Sequence, residues 1–280
     1  MWDCSCDTQS QSSISNSRES ACRIHGHQSG LGEEVHARFK SGQVLFRFRG
    51  LDFHWRRGKE FWPPSIDSLV MLRALEKDAL CKRRLDSVLD MGSGTGFLGI
   101  VIARNCPSIA RLDMSDWLLT PLVYSLMNWE VNCHSKEYVE INAHLGLFGS
   151  WLKPGQELYD VLVCNPPYLP ILKGFEGLGL ESTIAGTELL VYLIRNSNKL
   201  AKRTYVNYSS IAKPEADMAA GVAGKLMLIP GDAGWDSPFR IYVVKDKPEY
   251  IDRLIEERGL IIKEDRLHKY WHHIQTYCIG

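Results

Sequence analysis

Thirty-three basic and thirty-three acidic side chains cancel to a formal net charge of +0 in 280 residues, so no overall field recruits a polyanion, and a nucleic-acid site would have to be a local patch. An apolar content of 45% supports a substantial core. Eight cysteines are spread singly, several inside apolar runs, which suggests reduced thiols and a cytoplasmic location; neither a secretory leader nor a run of roughly 18 apolar residues is visible.

Residues 1–30 are rich in Ser, Gln and Asn without apolar periodicity and read as a disordered leader. Cys4, Cys6, Cys22, His25 and His27 have the chemistry of zinc ligands, but their spacing fits no compact finger, and a solvated tail is the better reading. Residues 31–64 hold an expected β-hairpin: "GQVLFRFRGLDFHWRRGKEFWPP" alternates apolar and polar residues on both sides of Gly50-Leu51-Asp52. Arg47, Arg49, Arg56, Arg57 and Lys59 make it basic, either as a solvated face or as a contact surface.

The main domain is expected over 65–280. Pro63 and Pro64, then Ser65 as a candidate cap, precede a helix with apolar residues at 66, 69, 70, 72, 75 and 79. Strands at 87–91, 109–114, 138–143, 159–164 and 204–209 alternate with helices at 97–104, 118–131 and 185–200, the order expected of a parallel sheet covered on both faces. Runs at 224–229 and 239–244 read as an inserted hairpin within 221–246. A helix at 248–257, a strand at 260–266 and an aromatic strand at 270–279 follow, the last two expected to pair antiparallel.

"LDMGSGTGFLGI" sets Asp90 at a strand end, Gly92, Gly94 and Gly96 in a turn, and a helix behind them. Glycines let the backbone turn sharply and approach a ligand, while the helix amino end offers unpaired N–H groups. Gly94, Gly96 and Gly99 also satisfy a dinucleotide fingerprint, with Asp113 nineteen residues past Gly94. The glycines alone therefore leave a nicotinamide dinucleotide open beside other nucleotide-like cofactors. A later strand runs straight into Asn165-Pro166-Pro167-Tyr168.

With an acid two residues before the first glycine and this second motif, the chain resembles class I S-adenosylmethionine-dependent methyltransferases over residues 45–280. The resemblance implies a Rossmann-like, seven-stranded fold, mostly parallel with an antiparallel C-terminal strand. It assigns the cofactor S-adenosyl-L-methionine to Asp90, Gly92, Ser93, Gly94, Thr95 and Gly96, to Asp113 and Met114 at the end of the second strand, to Ser150 and Trp151 in the third motif, and to Asn165. Asn165 to Tyr168 match the motif of enzymes that methylate planar nitrogens. Such a nitrogen is a poor nucleophile because its lone pair is delocalised. The Asn165 oxygen and the Pro166 carbonyl can accept its two hydrogens, Pro167 stiffens the turn, and the Tyr168 ring offers a stacking face.

The hairpin, Trp62-Pro63-Pro64, "NPPYLP" and "AGTELLVYLI" are similar to glutamine methyltransferases of the release-factor (HemK-like) type. The next acid after the prolines is Asp67, and Ser150 stands where that group carries an acid. The resemblance implies a macromolecular acceptor, a protein glutamine amide before an exocyclic amine of a nucleobase, with an activating partner protein left open. The basic hairpin with Lys199, Lys202 and Arg203 is the case for nucleic acid. A cofactor-binding subunit without turnover is the third reading. Cys164 reads as a small buried strand residue, His272 and His273 fall on opposite strand faces and so share no metal, and Trp117, Trp129 and Trp151 fall near the cofactor-side ends of elements.

Overall fold

The computed structural model describes residues 21–23, 36–40, 43–48, 51–56, 65–133, 138–153, 155–175, 187–223, 226–239, 247–263 and 269–280. Four strands come first: β1 (Ala21–Arg23), β2 (His36–Lys40), β3 (Gln43–Phe48) and β4 (Leu51–Arg56). They form one antiparallel sheet in that order. The expected hairpin is present, with its turn between Phe48 and Leu51 rather than at residues 50–52. β1 lies inside the segment read as disordered, so the leader reading fails at residues 21–23; the rest of 1–30 lies outside the described residues.

The main sheet is built from β5 (Ser87–Met91), β6 (Arg111–Asp116), β7 (Glu140–Leu145), β8 (Tyr159–Cys164), β9 (Ala201–Ser209), β10 (Met227–Leu228) and β13 (Tyr270–Ile279) in the order β10-β13-β9-β8-β5-β6-β7. β5 to β9 are parallel and β13 is antiparallel to β9, which is the expected Rossmann-like architecture. The inner strands read as nearly unbroken apolar runs because both of their faces are covered. On one face α1 (Ile66–Lys77), α2 (Phe97–Asn105) and α3 (Leu119–Cys133) bury Met71, Ile100 and Trp129 against Val88, Leu112 and Val161. On the other, α4 (Glu188–Asn196) and α5 (Lys213–Ala223) bury Leu190, Leu193 and Ala216 against Leu89, Leu162 and Val206.

α5 occupies a stretch to which no element was assigned: its buried side chains among the described residues are Ala216 and Ala219, too small to print an apolar stripe in the sequence. The expected inserted hairpin lies largely outside the described residues, which include 226–229 of its first run and only Phe239 of its second. β10 and β11 (Trp235–Pro238) each pair with β13, as β12 (Ile261–Ile262) does, and residues 240–246 lie outside the described set. Finally, Cys81 is joined to Cys106, tying the turn after α1 to the end of α2, so among the described residues the free cysteines are the buried Cys133, Cys164 and Cys278.

Among the described residues, the antiparallel sheet is fastened to the main domain by Phe53, buried in the core with Arg104 over its ring, and by the Asn132 amide. Asn132 of α3 accepts the His54 N–H at 2.9 Å and donates to the His54 carbonyl at 2.8 Å, extending the β4 backbone ladder with a side chain. α6 (Pro248–Arg258) starts on Pro248 and ends at Gly259, which takes the left-handed conformation (φ 69°) common after a helix. Its Tyr250 hydroxyl donates to the Pro170 carbonyl at 2.7 Å and so holds the loop that follows β8.

Candidate active site

β5, β6 and β8 end side by side. In the parallel register Asp90 faces Met114 on one side and Val163 on the other, which sets Gly92 between Asp116 and Asn165. The glycine loop and the Asn-Pro-Pro-Tyr turn thus share the carboxyl edge of the sheet, where open α/β sheets bind ligands.

Gly92, Gly94 and Gly96 all have positive φ (67°, 53° and 79°). Gly96 has a second reason to be glycine, since a Cβ there would lie 2.9 Å from Met114 Sδ and from Ser125 Cβ. Met114 is therefore the floor under the loop rather than part of its ligand face. The Ser93 N–H donates to the Ser115 carbonyl at 2.8 Å and Asn128 Nδ2 to the Thr95 carbonyl at 3.1 Å, pinning the loop to β6 and α3.

Asp90 is 1% exposed, and its Oδ2 accepts the Gly99 N–H at 2.8 Å. Burial, opposed by that hydrogen bond and reinforced by the Asp116 carboxylate, pushes its pKa up to about 7. The sign follows directly. The folded protein holds this proton above the pH at which the unfolded chain loses it, so stability from a neutral Asp90 is present at low pH and fades as pH rises towards 7. Across that window the slope should approach about 1.4 kcal/mol per pH unit. Thermal unfolding between pH 5 and 8 should therefore show a decline in the wild type that Asp90→Asn lacks; parallel curves would refute the assignment.

The resemblance assigns Asp113 to the cofactor, and in the structure its carboxylate is turned to other side chains. Asp113 lies three residues before the end of β6, opposite Leu89, and its carboxylate is fully engaged. It accepts from His144 Nε2 at 3.1 Å, from Asn142 Nδ2 at 3.0 Å and from the Tyr159 hydroxyl, with Arg111 3.7 Å away. Burial raises its pKa, but the bonds from His144, Tyr159 and Asn142 outweigh it and leave the pKa lowered. The acid at the loop is Asp116. Its Oδ2 accepts the Gly94 N–H and its Oδ1 the Leu118 N–H, both at 3.0 Å, and burial raises its pKa against those bonds.

Beyond β7 the Ser150 hydroxyl folds back over Gly146, within 2.5 Å of where a Cβ would stand. Trp151 stacks on His144 (centroids 5.2 Å apart, 9° between planes), whereas Trp129 belongs to the core. Trp117 follows Asp116 and is 37% exposed. Cys164 is buried, and burial, then the Asp90 and Asp116 carboxylates, hold its thiol well above the ordinary range, so it is no nucleophile. His272 is buried against Ser209 while His273 bonds Asp236 on the other face. No metal-binding group of His, Cys, Asp and Glu occurs among the described residues.

At the Asn-Pro-Pro-Tyr turn, Asn165 Oδ1 lies 3.3 Å from Asn207 Nδ2. The Tyr168 hydroxyl donates to Asp67 Oδ2 at 3.1 Å, and its ring packs on His272 with centroids 5.2 Å apart. Asp67, the acid that follows the prolines late in sequence, thus arrives at the turn through α1. Asn207 was not singled out in the sequence, for it lies 42 residues away in a strand that reads as core.

Comparison with known proteins finds one kind of enzyme over part of the chain. Residues 66–174 match the family model described as methyltransferase small domain. This segment, under half of the chain, is similar to that methyltransferase domain. The chain is 30% identical over 149 residues to a protein of Rhodopirellula baltica named release factor glutamine methyltransferase, covering 48% of this chain and 47% of that one. A protein of the same name from Aliivibrio fischeri is 26% identical over 122 residues, covering 40% of each. The aligned stretches therefore span half or less of these relatives. Among solved structures, TYW2 of M. jannaschii in complex with AdoMet matches at 13% identity and a TM-score of 0.44, over 86% of this chain and 88% of that one.

A methyltransferase domain implies S-adenosylmethionine, and the loop fits such a ligand. Ser93 Oγ and Ser115 Oγ are buried without a hydrogen-bond partner among the described residues, and nothing lies within 4 Å of a Cβ built on Gly94. Unpaired hydroxyls beside an open glycine loop suit a polar ligand. Gly92 to Gly96 would hold its amino-acid end and Asp116 its ribose.

Proposed function

We propose that the protein is an S-adenosylmethionine-dependent N-methyltransferase acting on a glutamine side-chain amide of a protein, with a release factor as the acceptor to test first. The observation that carries the reading is the placement of Asn165 beside the glycine loop with its oxygen held by Asn207. When bound, S-adenosylmethionine supplies an electrophilic methyl group. Asn165 Oδ1 and the Pro166 carbonyl accept the two N–H groups of a primary amide, which aims the nitrogen lone pair, while Tyr168, braced by Asp67 and His272, offers a flat face to the acceptor. Phe239 and Tyr250 belong to an apolar cluster against which Tyr168 and Leu169 pack.

Similarity to proteins named release factor glutamine methyltransferase supports the glutamine reading over a nucleobase. So does the use of Lys202 and Arg203. Lys202 is paired with Asp160 at 2.7 Å and Arg203 with Asp78 at 3.3 Å, and both lie at the start of β9, the edge of the sheet away from Asn165. The side chains of the basic hairpin lie outside the described residues, except Phe53 and His54. No helix among the described residues is long and apolar enough to cross a membrane, and a cytoplasmic location belongs to this proposal. Incubation with labelled S-adenosylmethionine and a purified release factor should yield N-methylglutamine by peptide mass spectrometry. Label confined to nuclease-sensitive material would replace the reading with the nucleobase one. Binding of S-adenosylhomocysteine with no transfer to either would make the chain a cofactor-binding subunit.

A further inference from the structure

A primary amide presents an acceptor on one arm and donors on the other, with nearly the same shape, so an asparagine that must accept has to be kept from flipping. Asn165 is half-buried, and its own backbone does not choose between the two arms. The choice is made by groups from three other elements. Asn207 of β9 is 1% exposed, and its Nδ2 donates to the Asp67 carbonyl at 2.7 Å. A backbone carbonyl can only accept, so Nδ2 is the arm of Asn207 that must face it. The other arm, Oδ1, accepts the hydroxyl of Thr276, which is 0% exposed on β13. Nδ2 then has a hydrogen left for Asn165 at 3.3 Å, and only an oxygen can meet it there. With Nδ2 of Asn165 turned to that position, two donors would oppose each other in a half-buried site.

We propose that Asn207 is a positioning residue that fixes which arm of the Asn165 amide serves the methyl acceptor, an inference that rests on the function proposed above for Asn165. The Asp67 carbonyl sets the orientation of Asn207, Thr276 locks it, and Asn207 passes it on. One lone pair of Asn165 Oδ1 is taken by Asn207, and the second remains for an N–H of the substrate. Asn207 and Thr276 both lie beyond residue 174, outside the stretch that matches the methyltransferase small domain, so this part of the site belongs to the chain's own second half.

The test uses the full chain labelled with 15N-asparagine, read by NMR and by turnover. Asn207→Asp offers only oxygens to its neighbours and should reverse the Asn165 amide, moving its side-chain NH2 resonances and lowering kcat by about tenfold or more, with binding of S-adenosylhomocysteine unchanged. Thr276→Val keeps shape, removes the lock and should shift the same resonances with a smaller loss of kcat; it decides the matter if Asn207→Asp does not fold. In an Asn165→Ala background, Asn207→Asp should cost nothing further, whereas a purely structural role would add its loss. Unmoved Asn165 resonances in Thr276→Val, or additive losses in the double variant, overturn the proposal. If the wild type methylates neither glutamine nor nucleobase, the proposed function fails instead, and the resonances still report whether Asn207 sets the amide.

Discussion

Replacing Asn165 with alanine is expected to lower methyl transfer by about a hundredfold or more while leaving S-adenosylhomocysteine binding intact, because it removes an acceptor aimed at the reacting nitrogen. The side chain lies at the end of β8, a strand whose apolar residues Val161 to Cys164 are fully buried, so truncating a half-buried residue after them leaves the core whole. Single-turnover transfer to a release factor, with calorimetric titration of S-adenosylhomocysteine, separates the two effects. Transfer at the wild-type rate would remove Asn165 from the mechanism.

The second large effect distinguishes two acids of one strand. Asp116→Ala is expected to weaken S-adenosylhomocysteine binding by about 10- to 100-fold, the cost of losing hydrogen bonds to a charged group. It also frees the Gly94 N–H that the carboxylate holds. Asp113→Ala should act on stability instead, since Tyr159, His144, Asn142 and Arg111 would all lose a partner inside the sheet. Titration of both variants against their unfolding midpoints decides between them. An Asp113 variant of normal stability that no longer binds would restore the sequence reading.

That reversal shows where the sequence was legible and where it stopped. Strands at 87–91, 159–164 and 270–279 were read with the bounds observed, because continuous or aromatic-rich apolar runs flanked by Gly and Pro leave little choice. Asp113 and Asp116 share strand β6, and spacing from the glycines favours the first. What selects the second is that β6 continues to Asp116, whose side chain then caps the Leu118 N–H ahead of α3, a side-chain contact that periodicity does not record. Asn165 and Tyr168 were legible as a motif. Their supports, Asn207, Thr276, Asp67 and His272, were not, since each is an ordinary residue brought in by pairing between distant strands or by helix docking. The small residues of α5 hid a helix for a related reason: alanines pack well and leave a faint pattern.

The strand β13 has a consequence for how the site matures. The contacts that close the glycine loop span little sequence, 22 residues from Gly94 to Asp116. Those around the Asn-Pro-Pro-Tyr turn span 140 residues from Asp67 to Asn207 and 101 from Asp67 to Tyr168, with a further 69 from Asn207 to Thr276 in a strand that also collects β10, β11 and β12. Contacts between distant segments form late, because loop entropy is spent before they give anything back. The glycine loop is therefore expected to form before the Asn-Pro-Pro-Tyr turn is set, an order that pulse-labelled hydrogen exchange during refolding would read.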